Sequence, residues 1–63
     1  MTKFVIQKSP TETRFMRLHH IDGIVWEIDK ELANHYSSKY AARRHAKNLV
    51  DLPQDALVIE FAR

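Results

Sequence analysis

Residues 13–28 read TRFMRLHHIDGIVWEI, and this stretch holds the strongest local signal for the fold of the chain. The pair Asp22-Gly23 lies between two runs rich in apolar and β-branched side chains. Asp-Gly is a preferred pair for a two-residue type I′ turn, because both central residues of that turn need a positive φ. The pattern predicts a β-hairpin, with its first strand at 13–21 and its second at 24–28.

A two-residue turn also predicts which residues lie opposite one another in the hairpin. The expected pairs are Ile21 and Ile24, His19 and Trp26, and Arg17 and Ile28. One face then carries Phe15, Ile21, Ile24, Trp26 and Ile28 with Arg17 and His19, and the other carries Met16, Leu18, His20, Val25 and Glu27. Both faces are partly apolar, and a slip of one residue inverts every assignment. The pattern therefore leaves open which face is buried.

Two further strands are predicted near the ends of the chain. Alternation of side chains at Lys3–Lys8 predicts the first strand, and the polar residues 9–12 with their proline predict the loop after it. The run 57–61, LVIEF, predicts the last strand, which we expect beside the first strand.

A helix is predicted between the hairpin and the last strand. Ser38 is a good N-cap residue, and Pro53 cannot continue a helix. One helix face is formed by Ala42, His45, Ala46 and Leu49. We therefore place the helix at Ser38 to Val50. The segment 29–36 before it is open between a helical turn with Asp29 as N-cap, a strand and a loop.

The element order β-β-β-α-β predicts an α+β fold. We expect a three-to-four-stranded, mainly antiparallel sheet with one helix packed on one face, in a single domain spanning 1–63. A chain this short buries only about 60% of its unfolded surface, and its lack of cysteine excludes disulfides. One helix covers only one face of the hairpin. We therefore expect a homodimer, unless segment 29–36 covers the other face.

The net charge and the length of the apolar runs bear on three classes: nucleic-acid-binding, secreted and membrane proteins. Ten Lys and Arg residues against eight Asp and Glu residues give a formal net charge of +2. This surplus permits a nucleic-acid-binding face without demanding one. The apolar stretch near Met1 is shorter than the roughly 7–15 residues of a secretory signal, and no run approaches the roughly 18 residues that cross a bilayer. We expect a cytoplasmic protein that does not enter a membrane.

The chain shows no constellation for catalysis or metal binding. His19 and His20, placed on one strand, are expected to point to opposite faces, while His35 and His45 lie ten residues apart. A zinc site needs three or four convergent ligands. The serines stand where turns and caps need them, and one glycine cannot build a phosphate-binding loop. We therefore expect no enzyme activity, no cofactor and no metal.

Several short motifs resemble known small domains. They are Lys3-Phe4-x-Ile6, Glu12-x-Arg14-Phe15-x-Arg17-Leu18, Asp22-Gly23-x-Val25 and Tyr36-x-Ser38-Lys39-x-Ala41-Ala42. Together they resemble the YegP-like domains of bacteria, although the segment between Trp26 and Tyr36 looks longer here. The spacing from Trp26 to the closing Val58-x-Glu60 is also similar to that of short accessory proteins of phage and prophage genomes. These resemblances imply a small α+β fold and bring no established activity.

The strongest functional signal lies on the predicted helix. Lys39, Arg43 and Lys47 form a row at i, i+4 and i+8 with Arg44 beside it, and the helix has no acidic residue to neutralise them. Such a row either faces solvent or meets phosphates or an acidic protein groove. Tyr40 stands one position off the apolar stripe and is expected to be exposed.

A second set of candidate contacts lies on the sheet. A hairpin followed by Ser-Lys-x-x-Ala is similar to the domains with which phage integrases bind arm-type DNA sites, and this similarity implies that Arg14 and Arg17 contact DNA, with Lys3 and Lys8 nearby. Two functions follow from these signals. The leading hypothesis is a non-enzymatic, phage-like interaction or regulatory factor that binds a host or phage protein. The alternative is a nucleic-acid-binding protein that uses the helix surface or the sheet.

Overall fold

The fold is built on an antiparallel β-sheet with a helix packed against it. The computed structural model describes residues 2–49 and 51–62. Its elements are β1 (Thr2–Gln7), β2 (Phe15–His19), β3 (Gly23–Glu27), a 3₁₀ turn (Lys30–Leu32), α1 (Lys39–Asn48) and β4 (Leu57–Ala62). The strands lie in the order β3-β2-β1-β4. The predicted α+β architecture is confirmed, and so is the place of the last strand beside the first.

The hairpin β2–β3 has a different register from the predicted one. Trp26 lies opposite Met16 instead of His19, and His19 lies opposite Gly23. The connection is therefore a three-residue loop, 20–22, and the predicted two-residue turn is wrong. Relative to the predicted pairing, the partner of each β3 residue is shifted by three residues along β2. Because side chains alternate between the two faces, an odd shift changes the face, and Trp26 shares a face with Met16 and not with Phe15.

The conformation of Asp22 explains this loop. A type I′ turn at Asp22-Gly23 needs a positive φ at both residues. Gly23 has a φ of 76°, whereas no described non-glycine residue has a positive φ. The His19 side chain stabilises the longer loop, because its Nδ1 accepts hydrogen bonds from the backbone N–H groups of Ile21 and Asp22, both at 3.2 Å.

One face of the sheet, the turn-side face, is closed by the 3₁₀ turn and the residues around it. Val5 and Phe15 form a buried cluster with Ala33, and Phe61 packs against this cluster. The Lys30 ammonium lies 5.4 Å from the centre of the Phe15 ring and 5.9 Å from that of Phe61. Because an aromatic face attracts a cation, electrostatic attraction adds to the apolar contact of the turn with the sheet.

The opposite, helix-side face carries Ile6 and Met16, which alternate along their strands with Val5 and Phe15. Ile6 is 1% exposed and Met16 is 0% exposed. The helix α1 contacts β1 and β4, and its Ala42 is completely buried. The helix therefore covers this face at β1 and β4. Full burial of an aliphatic side chain of this size stabilises the fold by about 1.5–3 kcal/mol.

Both faces of β1 are thus covered within one chain, with Val5 0% and Ile6 1% exposed. The expectation of a homodimer depended on an uncovered hairpin face. Segment 29–36 lies over the turn-side face, with Ala33 8% exposed. The helix contacts β1 and β4, and Leu18, on the helix-side face of the hairpin, is 43% exposed. Apolar surface therefore remains on that face of the hairpin. The oligomeric state stays a prediction.

The residues after the 3₁₀ turn enter a gap between β1 and β2. Within the described chain, those two strands pair directly at Gln7 and Phe15. Farther along, the Asn34 N–H donates to the Met16 carbonyl at 2.9 Å. Tyr36 exchanges two backbone hydrogen bonds with Phe4, both at 2.9 Å. The segment Asn34–Tyr36 therefore supplies backbone partners where β2 has turned away from β1.

The two predicted helix caps are both present. The Asp29 carboxylate accepts from the Glu31 N–H at 2.9 Å and caps the 3₁₀ turn, which decides among the alternatives left open for segment 29–36. The Ser38 hydroxyl accepts from the Ala41 N–H at 3.0 Å and caps α1. The helix ends at Asn48, and the predicted end at Val50 lies outside the described residues. No helix in the described ranges is long and apolar enough to cross a membrane.

Candidate functional site

The predicted basic row lies on the solvent side of α1. Lys39, Arg43 and Lys47 are exposed at i, i+4 and i+8, and Arg44 is exposed beside them. The inner side of the helix faces the sheet with the small, buried Ala42. The helix sequence KYAARRHAKN contains no carboxylate. We call Lys39, Tyr40, Arg43, Arg44 and Lys47 the basic helix surface.

Tyr40 adds an aromatic ring to this surface. It is 72% exposed, as its position off the apolar stripe predicts. A shallow depression of about 560 Å³ is lined by Tyr40, Arg43, Arg44 and Lys47. The arrangement places a flat ring and three cations within reach of one bound molecule.

A second depression runs between α1 and β4, and we call it the edge groove. It has a volume of about 410 Å³. Its cationic side is formed by Lys39, Arg43 and Lys47, and the other lining residues are Ala46, Ala56, Leu57 and Val58. The groove therefore combines an apolar floor with a row of three positive charges.

The cations of the basic helix surface have no acidic partner in the described structure. The ion pairs of the described residues join Lys8 to Glu12 and Arg17 to Glu27, and the Asp22 carboxylate lies 3.5 Å from Nδ1 of His19. None of these pairs includes a residue of α1. The charge of the helix is therefore available to an external ligand.

Arg14 and Arg17 are not part of this surface. Arg17 donates to Glu27 at 2.8 Å, and strand alternation places it on the turn-side face with Phe15. Arg14 is exposed in the loop before β2. The structure thus brings the predicted helix contacts together and places Arg17 on the opposite face of the sheet from α1.

Tyr36 and His45 connect residues 34–36, the inserted segment between β1 and β2, to the helix. The Tyr36 hydroxyl hydrogen-bonds to Nδ1 of His45. Burial raises the pKa of Tyr36 above its ordinary value of 10.0, while a hydrogen bond to the Asn34 side chain acts in the opposite direction. The phenol is therefore neutral at physiological pH and can donate to the imidazole. The contact is partly buried and joins residues 34–36 to α1.

The histidine geometry differs from the prediction at one point. The His19 and His20 rings stack with their centres 4.7 Å apart, so the expectation that they point to opposite faces is wrong. Strand β2 ends at His19, and alternation does not extend into the loop. The described residues contain no group of three or more His, Asp or Glu side chains placed to hold a metal ion.

The edge groove was not predicted from the sequence. Its apolar residues, Ala56, Leu57 and Val58, belong to the start of β4 and the loop before it. The available signal was the helical spacing of Lys39, Arg43 and Lys47, but spacing alone does not show which strand the row faces.

Comparisons with known proteins identify no relative. No family model, no curated protein and no solved structure matches this chain. The resemblance to YegP-like domains and to phage accessory proteins therefore stays a prediction.

Proposed function

We propose that this protein is a small, non-enzymatic interaction factor of the cytoplasm, phage-like in type, that binds an acidic region of a host or phage protein. The observation that carries the proposal is the set of exposed cations on α1, which have no acidic partner among residues 2–49 and 51–62 and lie beside an apolar groove. Lys39, Arg43 and Lys47 extend over about 12 Å of the helix. A partner with carboxylates at matching spacing would neutralise them.

The mixed chemistry of the edge groove favours a protein partner. Interfaces between proteins combine an apolar centre with charged residues at the rim. Leu57 and Val58 supply apolar surface in the groove, and the cations of α1 border it. A phosphate backbone would use the cations but leave the apolar floor unfilled. The positive field would also speed association with an acidic partner, more strongly at low salt than at high salt.

The test is affinity capture with charge-reversal variants. The immobilised protein is incubated with nuclease-treated bacterial lysate, and bound proteins are eluted with increasing salt. We expect a specific protein that is retained by the wild type and reduced about tenfold or more by Arg43→Glu/Lys47→Glu, since two attractions become repulsions.

The matched control carries the same change in net charge elsewhere. In Lys3→Glu/Arg14→Glu both changed residues lie outside the basic helix surface, so this variant should retain the captured protein. Circular dichroism verifies that both variants fold. The proposal is contradicted if no specific protein is captured at any salt concentration, or if both variants lose it equally.

A second candidate function is nucleic-acid binding through the same surface, and the exposure of Tyr40 favours it. Aromatic rings among cations stack on unpaired bases, and arginines neutralise the phosphates. A mobility-shift titration with single-stranded DNA or RNA at two salt concentrations discriminates. Contacts to three or four phosphates would give a salt slope of roughly −2 to −3 for single strands. No shift at micromolar protein in low salt would exclude this function.

A further inference from the structure

The outer edge of β4 presents backbone hydrogen-bonding groups to solvent. Phe4 of β1 exchanges both of its backbone hydrogen bonds with Tyr36, on the side away from β4. In an antiparallel ladder, successive residues point their N–H and C=O groups to alternate sides. The neighbours of Phe4 therefore bond to β4, and the residue opposite Phe4, which is Glu60, points its own N–H and C=O outward.

The same alternation applies along the strand. Val58 lies opposite Ile6, which like Phe4 points away from β4. Val58 therefore also directs its N–H and C=O to the open edge. Because β4 is the last strand in the order β3-β2-β1-β4, no described strand occupies that edge. At least two outward residues, Val58 and Glu60, are thus placed to exchange hydrogen bonds with an added strand.

The edge carries only one of the features that usually prevent pairing. Natural edge strands are protected by charged side chains, especially lysine, and by proline, bulges or very short length. β4 reads LVIEFA over six residues, with one charged residue, Glu60, and no lysine or proline. Strong β-forming residues on an open edge are a template for another extended chain.

Charge decides which chain fits this template. The edge groove lies at the same edge of the sheet, and Lys39, Arg43 and Lys47 line it together with Val58. We propose that β4 accepts an extended acidic segment of a partner protein as a fifth strand. Its acidic side chains, at every second position, lie on the helix side against the three cations. This inference rests on the proposed function and specifies how the acidic partner binds.

The segment should alternate acidic and apolar residues. Side chains of a strand point to opposite faces in turn. Those on the helix side meet Lys39, Arg43 and Lys47, and those on the turn side lie beside Ile59 and Phe61, which are partly buried apolar residues. Backbone hydrogen bonds then give affinity, and the alternating side chains give specificity.

A second copy of this chain fits the edge less well. Pairing of two β4 edges about a two-fold axis would bring two basic rows toward each other. Each β4 offers one carboxylate, Glu60, against the three cations that line the other chain's groove. Like charges across an interface disfavour the wrong partner. The charge of the groove therefore selects an acidic partner over self-association.

The test uses a synthetic eight-residue peptide of alternating glutamate and valine. We expect binding to the wild-type protein, with the amides of Val58 and Glu60 becoming protected from hydrogen exchange. In an added strand, either the valine or the glutamate N–H groups point toward β4. One peptide is therefore N-methylated on the valines and a second on the glutamates. The peptide that loses the N–H groups facing β4 should bind about tenfold or more weakly.

Two variants of the protein test the edge from the other side. Glu60→Pro removes an outward N–H without removing a bond to β1, and proline is tolerated at such edge positions. We expect it to weaken peptide binding about tenfold or more. Glu60→Ala is the matched control that keeps the N–H, and it should bind at least as well as the wild type because one carboxylate is gone. Circular dichroism establishes that both fold.

The outcomes separate this inference from the function on which it rests. If Arg43→Glu/Lys47→Glu abolishes peptide binding while Glu60→Pro and both N-methylated peptides bind normally, strand addition is overturned and acidic binding stands. Absence of any peptide binding at low salt overturns strand addition, and the lysate capture then tests the function independently. Protection of Val58 and Glu60 without peptide, together with a doubled mass by light scattering, overturns it in favour of a second copy. A mobility shift with RNA in the absence of peptide binding overturns it in favour of nucleic acid.

Discussion

The two faces of the sheet are closed by covers of very different length. The helix-side cover is a helix of ten residues, and the turn-side cover is centred on a 3₁₀ turn of three. Each face nevertheless has a buried centre, since Met16 is 0% exposed and Phe15 is 4% exposed. The short cover is sufficient because several contacts anchor it: the Asp29 cap, the Lys30 ammonium over two rings and the Asn34 hydrogen bond to β2.

The two covers also differ in where their charged side chains lie. In the 3₁₀ turn, the Lys30 ammonium lies against two aromatic rings of the sheet. On the sheet, Arg17 is paired with Glu27. The helix instead packs with Ala42 and leaves its cations in solvent. Cations on the turn-side face thus stabilise the fold, whereas those of α1 are available for binding.

Truncation of one buried residue on each face tests whether the two covers are equally tight. Phe15→Ala should cost about 3–5 kcal/mol and Met16→Ala about 2–5 kcal/mol, through lost burial and a residual cavity. Denaturant unfolding monitored by circular dichroism measures both. Met16→Leu, which nearly conserves volume, is the control and should cost less than about 1.5 kcal/mol. A loss below about 1 kcal/mol for either alanine variant would show that its face is loosely covered.

Removal of a helix cap should give the next largest loss of stability. Ser38→Ala should lower the free energy of unfolding by about 1 kcal/mol, because an N–H at the start of α1 loses its acceptor. Asp29→Ala should cost less, since the 3₁₀ turn has only three residues. Ser37→Ala, at the exposed neighbouring position, serves as control. Equal losses for Ser38→Ala and Ser37→Ala would contradict the capping role.

Alkaline pH tests the link between the inserted segment and the helix. Burial raises the pKa of Tyr36 above 10.0, so its stabilising contribution is fully present below the unfolded value of about 10 and is lost as pH rises through the folded value. Tyr36→Phe should cost about 0.5–1.5 kcal/mol at neutral pH through the bond to His45. It should also flatten the alkaline loss of stability. Urea unfolding across pH measures both, with Tyr40→Phe as the exposed control.

The smallest expected change in stability comes from removing single arginines, one paired with a carboxylate on the sheet and one exposed on α1. Arg17→Ala should cost about 0.2–1 kcal/mol, because the pair with Glu27 is partly exposed, and this loss should shrink in high salt. Arg43→Ala should change stability by close to zero or raise it slightly, since alanine is the better helix former. Thermal unfolding at two salt concentrations compares the variants. A destabilisation by Arg43→Ala as large as that by Arg17→Ala would give the helix cation a structural role.

The predictable part of this molecule is the part governed by short-range rules. Alternation at Lys3–Lys8 and the cap at Ser38 predicted β1 and the start of α1, and both are confirmed. Tyr40 was predicted to be exposed from its place on the helical wheel, and it is. In each case the deciding residues lie within a few positions of one another.

The hairpin register and the cover of segment 29–36 depend on contacts that local pattern does not contain. The turn signal at Asp22-Gly23 was overridden by the His19 side chain and by the pairing of β2 with β3. The place of Asn34 between the strands depends on how far β2 turns away from β1. The facing of the basic row toward β4 depends on tertiary packing in the same way, so the edge groove could not be inferred from spacing.

Consecutive residues in the inserted segment engage opposite covers. His35 Nε2 lies 2.9 Å from the Lys30 carbonyl oxygen of the 3₁₀ turn, and its ring packs on Phe61 of the turn-side face. Tyr36 hydrogen-bonds to His45 on α1. Insertion or deletion of one residue just before this pair would exchange the two sides and detach both covers together. The two layers are therefore expected to fold and unfold as one cooperative unit. Hydrogen exchange should give the amides of Val5 and Ala42 the same free energy of opening.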